Sequence, residues 1–150
     1  MQECFDDIDL IGHEIKAINH IMQRKMIASA DRAGVDKITL MHGWIICFLF
    51  EQKDIDVYQK DIENTFAISR STVTNILKLM EKKGYIIRES VESDARLKKL
   101  MLTDKGIEIH NKIHNAIIEN ETRFQSVLTE SERKEFFFLI RKLRNGIENT

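Results

Sequence analysis

Phe66-Ala-Ile-Ser69-Arg70-Ser-Thr-Val73-Thr-Asn75-Ile-Leu-Lys78-Leu-Met80-Glu-Lys-Lys-Gly84 is the stretch whose reading decides the fold. Placed on a helix that starts after Ser69, its apolar residues Val73, Ile76, Leu77 and Met80 share one face of a 3.6-residue period, which is a core face. The opposite face carries Ser69, Arg70, Ser71, Thr72, Thr74, Asn75 and Lys78, with no acid until Glu81. Short polar and cationic side chains of this kind bond phosphates and base edges. Ser69 can cap the helix by accepting from the free amides of its first turn.

Upstream, Tyr58 to Phe66 reads as a short helix, and only Ala67-Ile68-Ser69 separates it from the next. Two short helices joined by so few residues, the second with a polar outer face, make a helix-turn-helix. An ordinary helical hairpin with a solvated face is the competing reading. The downstream residues decide between them. Tyr85 to Glu89 is aromatic and β-branched enough for a strand, Leu97 to Leu102 for a second, and Ser90 to Arg96 is a polar loop between them. That hairpin is a wing, which places Arg96, Lys98 and Lys99 within reach of a minor groove or its phosphates.

The flanks are helical. Ile8, Ile11, Ile15, Ile18 and Met22 recur at steps of three and four within a helix from about Phe5 to Ala33, a seam that needs a partner helix. Gly34 suits its C-terminal stop. A second helix is expected from Thr39, as N-cap, to about Gln52, apolar on nearly every side and therefore central. Ile55 to Val57 is expected as a short strand joining the wing. After the wing, Thr103 and Asp104 open a helix to about Phe124. Thr129 and Glu132 form a capping box for a last helix that carries Phe136-Phe137-Phe138-Leu139-Ile140. Five consecutive apolar residues surround a helix, so one chain leaves some of them wet and a homodimer is expected, with the first and last helices as its interface. The fold class is mainly α, an α+β winged helix: a helix-turn-helix with a small β-wing between long N- and C-terminal dimerisation helices. One domain is expected over residues 1–150, with a DNA-binding lobe at about 38–102 and dimerisation helices at about 5–33 and 103–149.

The totals agree with a globular chain of 150 residues that is 43% apolar. No apolar run is long enough to cross a bilayer, and the acidic start lacks the basic and apolar regions of a signal peptide, so a cytoplasmic protein without membrane association is expected. The net charge of −1 argues against indiscriminate coating of nucleic acid. Its distribution is polar: residues 69–103 hold eight basic against four acidic side chains, whereas residues 1–57 hold six against ten. There is no glycine-rich phosphate loop, no Gly-x-Ser-x-Gly and no His-Glu-x-x-His, so neither an enzyme nor a cofactor is expected. Cys4 and Cys47 suggest no disulfide framework, and no Cys-x-x-Cys is present.

Two segments together resemble the MarR family of winged helix-turn-helix transcriptional regulators. Asp94-Ala-Arg96-Leu-Lys-Lys-Leu-Met-Leu102-Thr103-Asp104-Lys-Gly106 is similar to the family's wing-tip Asp-x-Arg, second wing strand and Leu-Thr-x-x-Gly helix start. Ser69-Arg-Ser-Thr-Val-Thr and Leu79-Met-Glu-Lys-Lys-Gly-Tyr-Ile resemble its recognition helix and exit. The resemblance covers nearly the whole chain. It implies a homodimeric regulator, a repressor by family habit, that binds a pseudo-palindromic double-stranded operator. Ser69 to Lys83 would lie in the major groove and Arg96 in the minor groove, with Asp94 holding Arg96. It also implies release by a small aromatic or phenolic acid, for which His13, His20, His42 and Trp44 are candidate lining residues; the alternative is that Trp44 is a core residue and the histidines are ordinary polar positions. His42 departs from the glutamine many relatives carry there.

Three other readings compete. His110 and His114 share a helix face and could chelate zinc, though no third ligand is obvious. Cys4, near a helix start, could sense oxidants, with Glu3, Asp6 and Asp7 opposing a lowered thiol pKa; Cys47 reads as an inert core thiol. A helical adaptor acting only through protein contacts would explain the apolar end helices but not the basic wing.

Overall fold

A computed structural model describes residues 10–91 and 94–149. Helix α1, Ile11–Arg32, opens the described chain and is followed by α2, Lys37–Met41, and α3, Gly43–Glu51. Strand β1, Val57–Tyr58, leads into α4, Gln59–Phe66, and α5, Arg70–Lys82. The wing is β2, Ile86–Val91, and β3, Asp94–Leu102, and the chain closes with α6, Asp104–Ser126, and α7, Glu130–Glu148. This is a winged helix, as expected. It forms two compact units, one through Ala116 and one from Ile117.

Helix ends follow from local chemistry. At the end of α1, Gly34 takes φ 78°, and the Gly34 and Val35 amides donate to the Asp31 and Ala30 carbonyls at 2.9 and 2.8 Å. The same double hydrogen bond ends α5: Gly84 sits at φ 74°, and the Gly84 and Tyr85 amides donate to Glu81 and Met80 at 2.9 Å. A left-handed residue at this position satisfies two carbonyls that the helix leaves open. The α7 start has the anticipated capping box, with the Thr129 amide donating to Glu132 Oε2 at 2.7 Å.

The second expected helix is corrected in two ways. Its cap is Asp36, whose Oδ1 accepts from the Thr39 amide at 3.0 Å, so the helix starts at Lys37 and Thr39 is buried inside it. The run then breaks at His42 and resumes at Gly43, ending at Glu51 with Gln52 as its C-cap, where the expected end lay. A Cβ on Gly43, the next residue, would lie 2.9 Å from Ile113 Cδ1, so the absence of a side chain there lets α6 approach the backbone closely.

The three strands pair antiparallel in the order β1-β3-β2, with Val57 opposite Leu100 and Arg88 opposite Leu100 from the other side. β1 thus joins the wing as expected, starting two residues later and ending one residue later than Ile55 to Val57. Both wing strands run further into the polar segment than expected. A register irregularity between Ser90 and Val91 lets Val91 pair with Asp94. The core gathers Val35, Ile45, Ile46, Leu49, Ile62, Val73, Leu77, Met80, Ile86 and Leu100 under the helix-turn-helix. Each fully buried aliphatic side chain contributes about 2 kcal/mol. Gly106 permits the closest approach: a Cβ there would meet the Tyr85 carbonyl oxygen at 2.1 Å.

The helices at the two ends keep apolar residues in solvent. On α1, Ile11, Ile15, Ile18, Ile21 and Met22 are exposed; on α7 so are Phe136, Phe137, Phe138, Leu139 and Ile147, and no α7 residue is buried. Among the described residues no helix is long and apolar enough to cross a membrane.

Candidate nucleic-acid interface

Helix α5 presents the expected polar face. Arg70, Ser71, Thr72, Asn75 and Lys78 are exposed, while Val73, Ile76, Leu77 and Met80 are buried behind them. Ser69 caps the helix: its Oγ accepts from the Thr72 amide at 3.3 Å and lies 3.1 Å from Ser71 Oγ and 2.9 Å from Thr72 Oγ1. Five exposed polar side chains on this helix, the first three of them in the opening turn at the positive end of its dipole, suit a polyanion.

Thr74 departs from the other face residues. It is half-buried; its hydroxyl donates to the Arg70 carbonyl at 2.8 Å and accepts from Gln59 Nε2 at 2.8 Å. Gln59, the first residue of α4, also donates to Glu63 Oε1 at 2.8 Å and reaches the Arg70 carbonyl at 3.3 Å. Sequence reading missed it, because a contact spanning fifteen residues between two helices leaves no periodic trace.

The C-terminal end of α5 is tied by charge. Lys83 Nζ donates to Asp36 Oδ2 at 2.6 Å and to Thr39 Oγ1 at 2.8 Å. The Lys83 ammonium and the Thr39 hydroxyl hold the Asp36 carboxyl well below the usual carboxylate range. Lys105 Nζ donates to the Lys83 carbonyl at 2.8 Å, and Thr103 Oγ1 donates to the Gly84 carbonyl at 2.6 Å while accepting from the Gly106 amide at 3.0 Å.

In the wing, Asp94 Oδ1 accepts from the Arg96 amide at 2.9 Å, and Arg96 is exposed. Asp94 therefore supports the backbone that carries Arg96. Lys98 is exposed and donates to the Ser90 hydroxyl. Lys99 is not grouped with them: strand alternation turns it to the other face, where Nζ meets Asp56 Oδ1 at 2.6 Å. That partner raises the Lys99 pKa. Between the wing and the helix-turn-helix runs an open groove of about 480 Å³ lined by Lys60, Arg70, Arg88, Arg96 and Lys98, with Glu63 as its acid and Gln59 at its wall. Arg88 is half-buried there, its Nε 3.2 Å from Glu81 Oε2. Lys60 and Arg88 carried no spacing signal in the sequence; their cationic character was visible but their convergence was not.

The residues considered for an effector are dispersed. His13 and His20 are exposed on α1. His42 is half-buried at the break between α2 and α3 and lines a small dimple with Leu79 and Tyr85. Trp44 packs its ring on Phe66, centroids 4.3 Å apart, and Phe48 meets the same ring edge-on at 5.5 Å. It is a packing residue. His110 is buried and stacks on Phe50 with centroids 3.8 Å apart, and His114 lies 6.0 Å from His110. Among the described residues no third histidine, cysteine or acid joins this pair to hold a metal. Cys47 is half-buried and burial pushes its thiol pKa up, which disfavours the reactive thiolate. Cys4 lies outside the described residues.

A polar-faced helix, a short helix packed against it and a basic two-stranded wing define a winged helix-turn-helix protein. Residues 37–97 match the sequence model of the MarR family. The matched segment runs from the start of α2 into β3. Among curated proteins it is similar to the HTH-type transcriptional regulator PecS of Dickeya dadantii, 30% identical over 88 residues, which is 59% of this chain and 53% of PecS. It is also similar to the uncharacterized HTH-type transcriptional regulator YdgJ of Bacillus subtilis, 24% identical over 97% of this chain and 84% of YdgJ. The chain spans about half the length of PecS. Among solved structures, a Staphylococcus aureus MepR–DNA complex superposes with a TM-score of 0.69 at 23% identity, covering 91% of this chain and 98% of that one.

Proposed function

We propose that the protein is a sequence-specific DNA-binding transcriptional regulator, a repressor by family habit, that binds a pseudo-palindromic operator as a homodimer. The observation that carries this reading is that Arg70, from the exposed polar face of α5, lines one cationic groove with Arg96 and Lys98 of the wing. Arg70, Ser71, Thr72, Asn75 and Lys78 supply donors and acceptors of the kind that read a major groove, with Ser69 setting the helix start. Arg96, braced by Asp94, and Lys98 supply the charge that meets backbone or minor groove. The PecS and YdgJ resemblances and the MepR–DNA fold match support the same reading. The lobe at about residues 38–102 would carry DNA contacts. The helices at about 5–33 and 103–149 would carry dimerisation, and the solvent-facing apolar residues of α1 and α7 support that division. Release by a small aromatic or phenolic effector belongs to the reading through the family alone.

Arg96→Ala tests it. In a fluorescence anisotropy titration against the intergenic DNA beside the protein's own gene, at two salt concentrations with random duplex as competitor, the wild type should bind tightly and resist competition. The variant should lose about tenfold or more in affinity while sedimenting at the same dimer mass. An Arg96→Ala protein indistinguishable from wild type would favour an adaptor that works through protein contacts.

A further inference from the structure

We propose that Gln59, which lies outside the recognition helix, is a positioning residue that sets the helix's base preference by occupying the Thr74 hydroxyl. The inference rests on the DNA-binding reading above and adds a residue that sequence patterning does not mark.

The hydrogen-bond inventory fixes the geometry. Gln59 Nε2 has two hydrogens and three oxygen neighbours: Glu63 Oε1 and Thr74 Oγ1 at 2.8 Å, and the Arg70 carbonyl at 3.3 Å. Two of these, the carboxylate and the carbonyl, can only accept, so the amide must turn its nitrogen toward them. Thr74 gives its one hydroxyl hydrogen to the Arg70 carbonyl, at 2.8 Å, and receives Gln59's. Its one hydrogen and one of its two lone pairs are therefore committed within the protein.

The consequence is chemical. A threonine on a recognition helix can contact a base edge through its hydroxyl, which serves most bases, or through its methyl, which packs on the 5-methyl group of thymine. With its hydrogen given away and one lone pair taken, Thr74 cannot donate to a base and meets it chiefly through the methyl. Gln59 thereby converts a permissive residue into one that favours thymine, without touching DNA. Its amide also reaches the Arg70 carbonyl, so it helps hold the first turn of α5, where Arg70 and Ser71 are exposed. Gln59 carries no charge, so its removal leaves the electrostatic attraction to phosphate unchanged.

The test is an in vitro selection from a random duplex library, run with the full chain as wild type, Gln59→Ala, Gln59→Met, Thr74→Val and the Gln59→Ala/Thr74→Val double variant. Melting curves and salt titrations are taken for each. The wild type should enrich a motif with a thymine-selective position in each half-site. Gln59→Ala should relax selectivity at that position by about fivefold, with affinity for random duplex and its salt slope unchanged. Gln59→Met, which keeps the side-chain length, should do the same should Gln59→Ala melt early. Thr74→Val, which keeps the methyl, should preserve the thymine preference, and adding Gln59→Ala to it should change nothing further. An unchanged motif in both Gln59 variants would overturn the proposal. So would an equal loss of affinity for selected and random duplex at an unchanged salt slope, the sign of a direct neutral contact to the DNA backbone. A wild type that enriches no motif would remove the DNA-binding reading, and the inference with it.

Discussion

The two ends of α5 are held by different means. At the C-terminal end, a lysine ammonium spans two acceptors, a second lysine and a threonine hydroxyl take up the Lys83 and Gly84 carbonyls, and glycine occupies the left-handed turn. At the N-terminal end the contacts are neutral: a 3.3 Å serine cap and the Gln59 amide. The left-handed position before it, φ 51°, is filled by Ala67, whose Cβ makes that conformation costly. The difference teaches where the fold spends its stability. The end furthest from the Ser69 cap is anchored to α2 and to the start of α6, while the end that displays Arg70 and Ser71 is left with weaker, adjustable restraints.

The largest expected effect breaks the anchored end. Gly106→Ala sets a Cβ at 2.1 Å from the Tyr85 carbonyl oxygen and 3.0 Å from Leu102 Cδ2, and backbone must move to admit it. A loss of about 3 kcal/mol is expected, read as a lower urea midpoint. The next effect concerns pH. The folded-state pKa of Asp36 is depressed, chiefly by the Lys83 hydrogen bond, so its contribution is fully present above the ordinary carboxylate pKa and is lost as pH falls toward the folded value. Wild-type stability should therefore decline on acidification below about pH 5, and Asp36→Asn should flatten that decline. Half the Asp36 side chain is exposed, so the difference should be only about 1 kcal/mol after solvent screening. Parallel denaturant titrations at two pH values would show it, and equal slopes would sink the charge account. The smallest effect sharpens the contrast at the other end. Ala67→Gly relieves the left-handed strain, partly offset by the greater freedom of glycine in the unfolded chain, for a net gain of about 0.5 kcal/mol, read as a higher thermal midpoint. A destabilised variant would show that Ala67 is not strained.

Much of this was legible before any coordinates. Val73, Ile76, Leu77 and Met80 repeat at helical spacing, Ser69 and Gly84 bracket them with opposite capping chemistry, and the element they imply is the one observed. The helix before them was misread because two residues compete for one cap. Asp36 and Thr39 are both capping residues three apart, and the apolar run that follows conceals the break at His42. The wing strands were called too short because Ser90 and Arg96 are polar, and a two-stranded ribbon accepts polar residues on its solvent side without a periodic signal. Of the interface, the exposed cations and hydroxyls were read from one helix face. What escaped was whatever depended on pairing across elements: the Lys99 turn toward Asp56, the convergence of Lys60 and Arg88, and the Gln59 amide.

The strand order β1-β3-β2 has a consequence for how the chain is made. Val57 pairs with Leu100, forty-three residues later, and every residue of the helix-turn-helix lies inside that loop. A ribosome that has released α5 has produced both DNA-facing helices but not the strand that closes the sheet behind them. Local helical contacts form in microseconds, whereas a pairing this distant must wait for synthesis at about 5 to 20 residues per second. For a few seconds, then, the nascent protein holds an unfastened hairpin of helices, and the emergence of Leu100 is the event that commits it to the winged form.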